Sequence, residues 1–149
     1  MINSDLIVNS KNWGRIIRSW KNEKLPHAIL FHGPAGTGKE GHAMELAALL
    51  NCSSNPDKEP CGSCPSCKKT KSFKHESVKL VLPLPRGKIK SSDDPVIKAF
   101  SDSVLKDYLQ MLKQKEDDPY YSIQVPGATT ILINSIRELK HDVSLSTVN

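Results

Sequence analysis

Two groups of residues in this 149-residue chain have types and spacings suited to chemistry. The first is Gly33-Pro34-Ala35-Gly36-Thr37-Gly38-Lys39-Glu40, which carries the G-x-x-x-x-G-K spacing of a phosphate-binding loop. Glycines at 33, 36 and 38 open backbone angles closed to other residues, so successive N–H groups can turn inward around an anion. Lys39 supplies a point charge able to reach β and γ phosphates, and a helix starting there adds the positive end of its dipole. The second group is Cys52, Cys61, Cys64 and Cys67, which are all the cysteines of the chain. Thiolates two residues apart in a tight turn can converge on one ion, and four of them make a closed tetrahedral site.

Each group needs elements to hold it. Ala28-Ile29-Leu30-Phe31 is a short apolar run of the kind that forms a buried parallel strand leading into the loop. Ala43, Met44, Leu46, Ala47, Leu49 and Leu50 recur at helical spacing behind it. Strand, glycine loop and helix are the context the motif demands. One position departs. The motif ends in Lys-Ser or Lys-Thr because that hydroxyl holds Mg²⁺, and Glu40 stands there instead. A carboxylate so close would repel phosphates unless it binds the metal itself or points away, and Thr37 lies inside the loop and cannot take over. ATP or ADP binding is therefore expected, whereas hydrolysis and the use of Mg²⁺ stay open.

Clustered cysteines in a reducing compartment suggest a metal before a disulfide. Pro60, Gly62 and Pro65 supply turns between them. With four ligands and no spare cysteine, zinc is the preferred ion and its role structural; an iron–sulfur cluster is the alternative, since C-x2-C-x2-C also opens one ferredoxin pattern. The insert is placed at about residues 52–74. Lys68, Lys69, Lys71 and Lys74, then Arg86, Lys88 and Lys90, read first as a solvated face and second as a phosphate-backbone patch.

The formal net charge is +5, which favours an acidic partner such as nucleic acid. No apolar run approaches the ~20 residues of a membrane span. Met1-Ile2-Asn3-Ser4-Asp5 lacks the layout of a signal peptide, so the expected compartment is the cytoplasm. A helix over residues 11–23 would bury Trp13, Ile16, Ile17 and Trp20, with Asn9 or Ser10 as its cap. His27 and His32 bracket the first strand and read as structural. Val78-Lys79-Leu80-Val81-Leu82 reads as a second strand, ended by Pro83. A helix capped by Ser92 or Asp93, with Pro95 in its first turn, would bury Ile97, Phe100, Val104, Tyr108 and Met111 or Leu112. Residues 129–133 read as a third strand, and Ser135-Ile136-Arg137-Glu138 as a capping box for a last helix.

The implied fold class is α/β: a P-loop parallel sheet with flanking helices, incomplete, carrying a small four-cysteine zinc insert. A working P-loop ATPase also needs an acidic residue at a strand end. The best candidate run, Ile131-Leu132-Ile133, ends in Asn134. Residues 1–149 are therefore expected to form the N-terminal part of a longer P-loop domain.

The order of these motifs resembles the AAA+ clamp-loader ATPases of bacterial DNA polymerase III, the gamma/tau and delta-prime subunits. The resemblance rests on a first helix, Leu25-Pro26-His27-Ala28 leading into the loop, and Asn51-Cys52 opening a four-cysteine insert directly after the loop helix. His75-Glu76-Ser77-Val78 looks like the family's His-Pro-Asp turn with the Pro-Asp pair lost, and Ile136-Arg137-Glu138-Leu139 like its Ile-Arg-Glu-Leu helix. The resemblance implies a subunit that helps load the sliding clamp on primed DNA, with the other clamp-loader subunits as partners and no membrane. Glu40 and the long segment from Pro83 to Gly127 lean toward delta-prime, whose nucleotide sites are often altered, rather than the hydrolysing gamma. The family's arginine finger and sensor residues would fall beyond Asn149. Two other classes stay open: a P-loop kinase, for which no lid or substrate pocket is marked, and a zinc-stabilised binding module with a vestigial loop.

Overall fold

The structure is a computed structural model that describes residues 1–54 and 56–146. In chain order its helices are α1 (Ser10–Lys21), α2 (Lys39–Leu50), α3 (Pro65–Lys71), a 3-10 turn at Val96–Ala99, α4 (Asp102–Asp117) and α5 (Ile133–Ser146). The chain divides into two compact units, Met1–Val78 with Lys115–Ser122, and Lys79–Gln114 with Ile123–Asn149.

The first unit is built on α2. Alanines and leucines favour a helix here, and two of its faces are covered. Met44 and Ala48, one turn apart, pack with Ile2, Cys52, Cys64 and Cys67. Leu46 and Leu49 pack with Trp13 and Ile17 of α1, joined by Val8, Ile16, Trp20 and Phe31. Trp13 is thus a core residue, as its spacing implies, and Trp20 packs against the same cluster partly buried. Asn9 caps α1, its side-chain oxygen accepting from the Asn12 N–H at 3.0 Å. The second unit has its own core of Leu84, Ile89, Ala99 and Val125, against which Phe100, Val104 and Tyr108 pack as their periodicity predicts. Ile97, expected on the same face, is exposed.

The parallel sheet does not form. Among the described residues there is no strand, and the only pairing is an isolated antiparallel bridge between Leu84 and Thr130. A strand exists only where a neighbour takes up its N–H and C=O groups. Ala28–Phe31 lies as irregular chain, with Leu30 83% exposed. Residues 78–82 are likewise irregular. The bridge stays a single pair, joined by a hydrogen bond from the Leu84 N–H to the Thr130 carbonyl, and Pro83 and Pro85, which have no N–H, deny any further segment a ladder on the opposite edge. On the other side α5 already begins at Ile133, within the run expected to be the third strand. The α/β expectation is therefore corrected to a helical fold.

Two helix expectations are also revised. The single helix from residue 92 is split: Phe100 is extended, and α4 begins after Ser101, whose hydroxyl accepts from the Val104 N–H. The capping box does not close. Glu138 accepts from the Val96 N–H at 2.7 Å instead, and the buried Ser135 Oγ has no partner.

Candidate phosphate loop and metal centre

Lys39 opens α2, and Gly38 before it sits in the left-handed region at φ 67°. A side chain there would also collide: a Cβ would fall 2.8 Å from Leu6 Cδ1 and 3.0 Å from Tyr120 Cε1. Gly36 likewise has φ 76°, so the loop uses glycine where it is needed. The Lys39 ammonium donates to the carbonyls of Gly33 (3.1 Å) and Pro34 (2.7 Å), and Thr37 Oγ1 donates to Pro34 (2.9 Å). A cavity of about 470 Å³ adjoins the loop, and Thr37, Lys39, Trp13, Arg15, Phe31 and His42 are among its lining. His42 is a residue that the sequence reading passed over. Its Nδ1 lies 2.8 Å from the Gly38 carbonyl, which can only accept, so Nδ1 carries the proton and Nε2 is left as an acceptor. Its signal was its place one turn after Gly38.

Glu40 has a partner that no local pattern announces. Its carboxylate lies 3.0 Å from the Lys115 ammonium, whose side chain is only 4% exposed. Lys115 also donates to the carbonyls of Pro119 (2.8 Å) and Tyr121 (2.6 Å).

The four cysteines come together as their spacing predicts. All four Sγ atoms lie within 4.8 Å of one another. The Cys52–Cys64 and Cys61–Cys67 pairs are each 3.9 Å apart. Tetrahedral zinc with Zn–S bonds of ~2.3 Å requires sulfurs about 3.8 Å apart, so the donor set fits that ion. Cys64 caps α3 with Pro65 in its first turn. The N–H groups of Cys61, Cys64 and Cys67 point at the sulfurs of Cys52, Cys61 and Cys64 respectively, at 3.3–3.5 Å. Hydrogen bonds from the Ser54 hydroxyl, then the Cys64 N–H and the Ser63 hydroxyl, bring the Cys61 thiol down to about 5. A hydrogen bond with Ser53 leads the causes that bring Cys64 to about 7. Burial pushes Cys67 up to about 12. Loss of water around Cys67 is the cost that a bound cation would offset, since a coordinating thiol is deprotonated outright.

Behind this cluster the first residues of the chain are pinned to α2. Glu45, fully buried, accepts from the Ile2 N–H (3.0 Å) and the Asn3 N–H (2.7 Å). The Met1 ammonium donates to the Pro60 carbonyl at 2.8 Å. Burial raises the Glu45 carboxyl above its usual range, against the two N–H bonds that lower it.

A glycine loop opening a buried helix, with a four-thiolate centre directly after that helix, defines the class of domain. The chain belongs to the family described as DNA polymerase III, delta subunit, whose profile matches residues 8–149. It is 50% identical over 44 residues to DNA polymerase III subunit gamma/tau of Mycobacterium tuberculosis (strain ATCC 25618 / H37Rv), a stretch covering 30% of this chain and 8% of that protein. It is 48% identical over 46 residues to subunit tau of Bacillus subtilis (strain 168), covering 31% and 8%. Subunit delta' of the same Bacillus strain is 40% identical over 68 residues, covering 46% and 20%. The matched stretch thus spans no more than a fifth of the length of these relatives. These matches place the chain among the clamp-loader subunits of DNA polymerase III. No solved structure matches. No helix among the described residues is long and apolar enough to cross a membrane.

Proposed function

We propose that this chain is a delta-prime-like subunit that binds ATP or ADP at residues 33–40 and does not turn it over. In that role it helps the other clamp-loader subunits place the sliding clamp on primed DNA. The observation that carries the reading is the shared cavity: Lys39 and Thr37 of the loop line the same space as Trp13, Phe31 and His42. That arrangement suits phosphates at the helix N-terminus with a base against aromatic and apolar surface. The loop amides from Gly33, Ala35, Gly36, Thr37, Gly38, Lys39 and Glu40 would take up phosphate oxygens, Pro34 having no N–H, and the Lys39 side chain would turn from its carbonyls to them. Cys52, Cys61, Cys64 and Cys67 would hold zinc, which cross-links the insert and supplies no reactivity because every ligand position is filled.

The higher identity to gamma/tau relatives favours a second reading, an ATPase motor. The residue at position 40 separates the two. Full-length protein titrated with labelled ATP should bind it, and should release no phosphate above the buffer rate. Robust turnover by the protein alone would establish the motor reading instead. Lys39→Ala should remove the binding.

A further inference from the structure

Glu40 occupies the place where a hydroxyl would hold Mg²⁺, and the structure gives its charge another use. A lysine ammonium has three N–H donors. Lys115 donates to Pro119 O and Tyr121 O, at 2.8 and 2.6 Å, and its ammonium forms an ion pair with Glu40 Oε2 at 3.0 Å. The side chain is almost wholly out of solvent, and the Glu40 carboxylate is the charge set against its own.

The segment that brings Lys115 there is fastened to the loop–helix junction at several other points. Tyr120 Oη accepts from the Ile7 N–H at 2.8 Å. Its ring carbons Cε1 and Cδ1 lie 3.0 and 3.2 Å from where a Cβ on Gly38 would be. Pro119 lies 3.1 Å from where a Cβ on Gly41 would be. Residues 115–122 thus form a strap across the start of α2, and the lysine is its buried anchor.

Lys39 and Glu40 alone sum to zero, which would leave the loop with no net attraction for phosphate beyond its amides and dipole. Adding Lys115 restores one positive charge, the same as a loop with lysine followed by a neutral hydroxyl. A divalent ion that captured the Glu40 carboxylate would strand a buried ammonium beside a dication, an arrangement strongly disfavoured.

We propose that Lys115 is the resident cation of this loop, neutralising Glu40 so that the phosphates of a nucleoside di- or triphosphate are bound without a divalent metal. This inference rests on the nucleotide-binding reading above.

The test is titration of the full-length protein with ADP and, separately, with inorganic pyrophosphate, each in excess EDTA and in excess Mg²⁺. The two conditions should give dissociation constants within about threefold of each other. A gain of about tenfold or more with Mg²⁺ would overturn the inference. Lys115→Met should weaken binding in EDTA by about tenfold, because Glu40 is then unopposed, and adding Glu40→Thr to it should recover the loss. Lys115→Arg, which keeps the charge, guards against a variant that merely fails to fold. If the unmodified protein binds neither probe in either condition, the nucleotide reading falls and metal-free binding falls with it. The ion pair itself is then read by urea unfolding of Glu40→Thr, Lys115→Met and the double variant. Non-additive changes support the pair, and strictly additive ones refute it.

Discussion

Glu45→Gln is a sharp test of how the first unit is held together. The carboxylate is fully buried in the middle of α2 and takes one N–H on each oxygen, from Ile2 and Asn3. An amide of the same shape has one acceptor oxygen and presents an NH₂ group where the second oxygen stood. One of the two backbone N–H groups therefore loses its partner and faces another donor. A buried N–H left unsatisfied costs about 1–3 kcal/mol, and bonds to a charged acceptor lie at the upper end of that range. Relief of the carboxylate's desolvation offsets part of this, so a net loss of about 1–3 kcal/mol at neutral pH is expected.

Urea unfolding followed through Trp13 and Trp20, which both pack in the cluster that meets α2, would measure it. The pH dependence adds a second check. The folded carboxyl titrates above its ordinary value of 4.5. Between that value and the raised one, the folded state keeps a proton that the unfolded state has lost, so stability falls as pH rises. Glutamine has no such slope. The advantage of the unmodified protein over Glu45→Gln should thus be largest below pH 4.5 and shrink as pH rises through the folded-state value. A difference below about 0.5 kcal/mol, or one that grows with pH, would refute this account of the carboxylate.

Elemental analysis should find close to one equivalent of zinc in a colourless protein; iron with sulfide, or no metal after gentle purification, would refute the assignment. Cys64→Ser should lose the ion and unsettle residues 52–74 more than the loop, and acid should release the metal as the thiolates take up protons. Gly38→Ala should cost about 1–2 kcal/mol for a left-handed alanine, with the contact to Leu6 added, and should impair ATP binding while far-ultraviolet circular dichroism shows the helices intact.

The features legible in the sequence are those whose cause is local. The α1 face depends on Trp13, Ile16, Ile17 and Trp20 recurring along one helix, and Asn9 caps it from one residue away. The cysteines converge because turns at Pro60 and Gly62 and a helix start at Pro65 fix three of them within a few residues. What could not be read depends on pairing across the chain. Glu40 reads in isolation as a defect, because its partner Lys115 lies far along the sequence. Glu45 reads as one more polar residue on a helix, because nothing nearby signals that Ile2 and Asn3 will dock on it. The three strand-like runs failed for the same reason. Their apolar content was read correctly, but a strand is a property of two segments, and beyond the single bridge of Leu84 to Thr130 no pairing forms among the described residues.

The two candidate sites stand at opposite ends of one 12-residue helix, about 18 Å apart by its rise per residue. The amino end of α2 carries the loop and is fixed by Leu6, Tyr120 and the Lys115 strap. Its carboxyl end runs through Asn51 into Cys52, and a short polar chain ties it to the insert. Ser66 Oγ donates to the Asn51 carbonyl and lies 2.9 Å from His75 Nε2. His75 Nδ1 accepts from the Ser77 N–H, so Nε2 carries the ring proton and donates to Ser66. The serine hydroxyl is thus committed to a carbonyl and has no base to activate it, which makes the pair a structural tie and not a nucleophile. Met44 and Ala48, on the face toward the cysteines, connect the insert to the same helix through Ile2. Losing the metal would loosen that face and the carboxyl end of α2 first. The loop, anchored independently at the other end, would be the last part of the unit to notice.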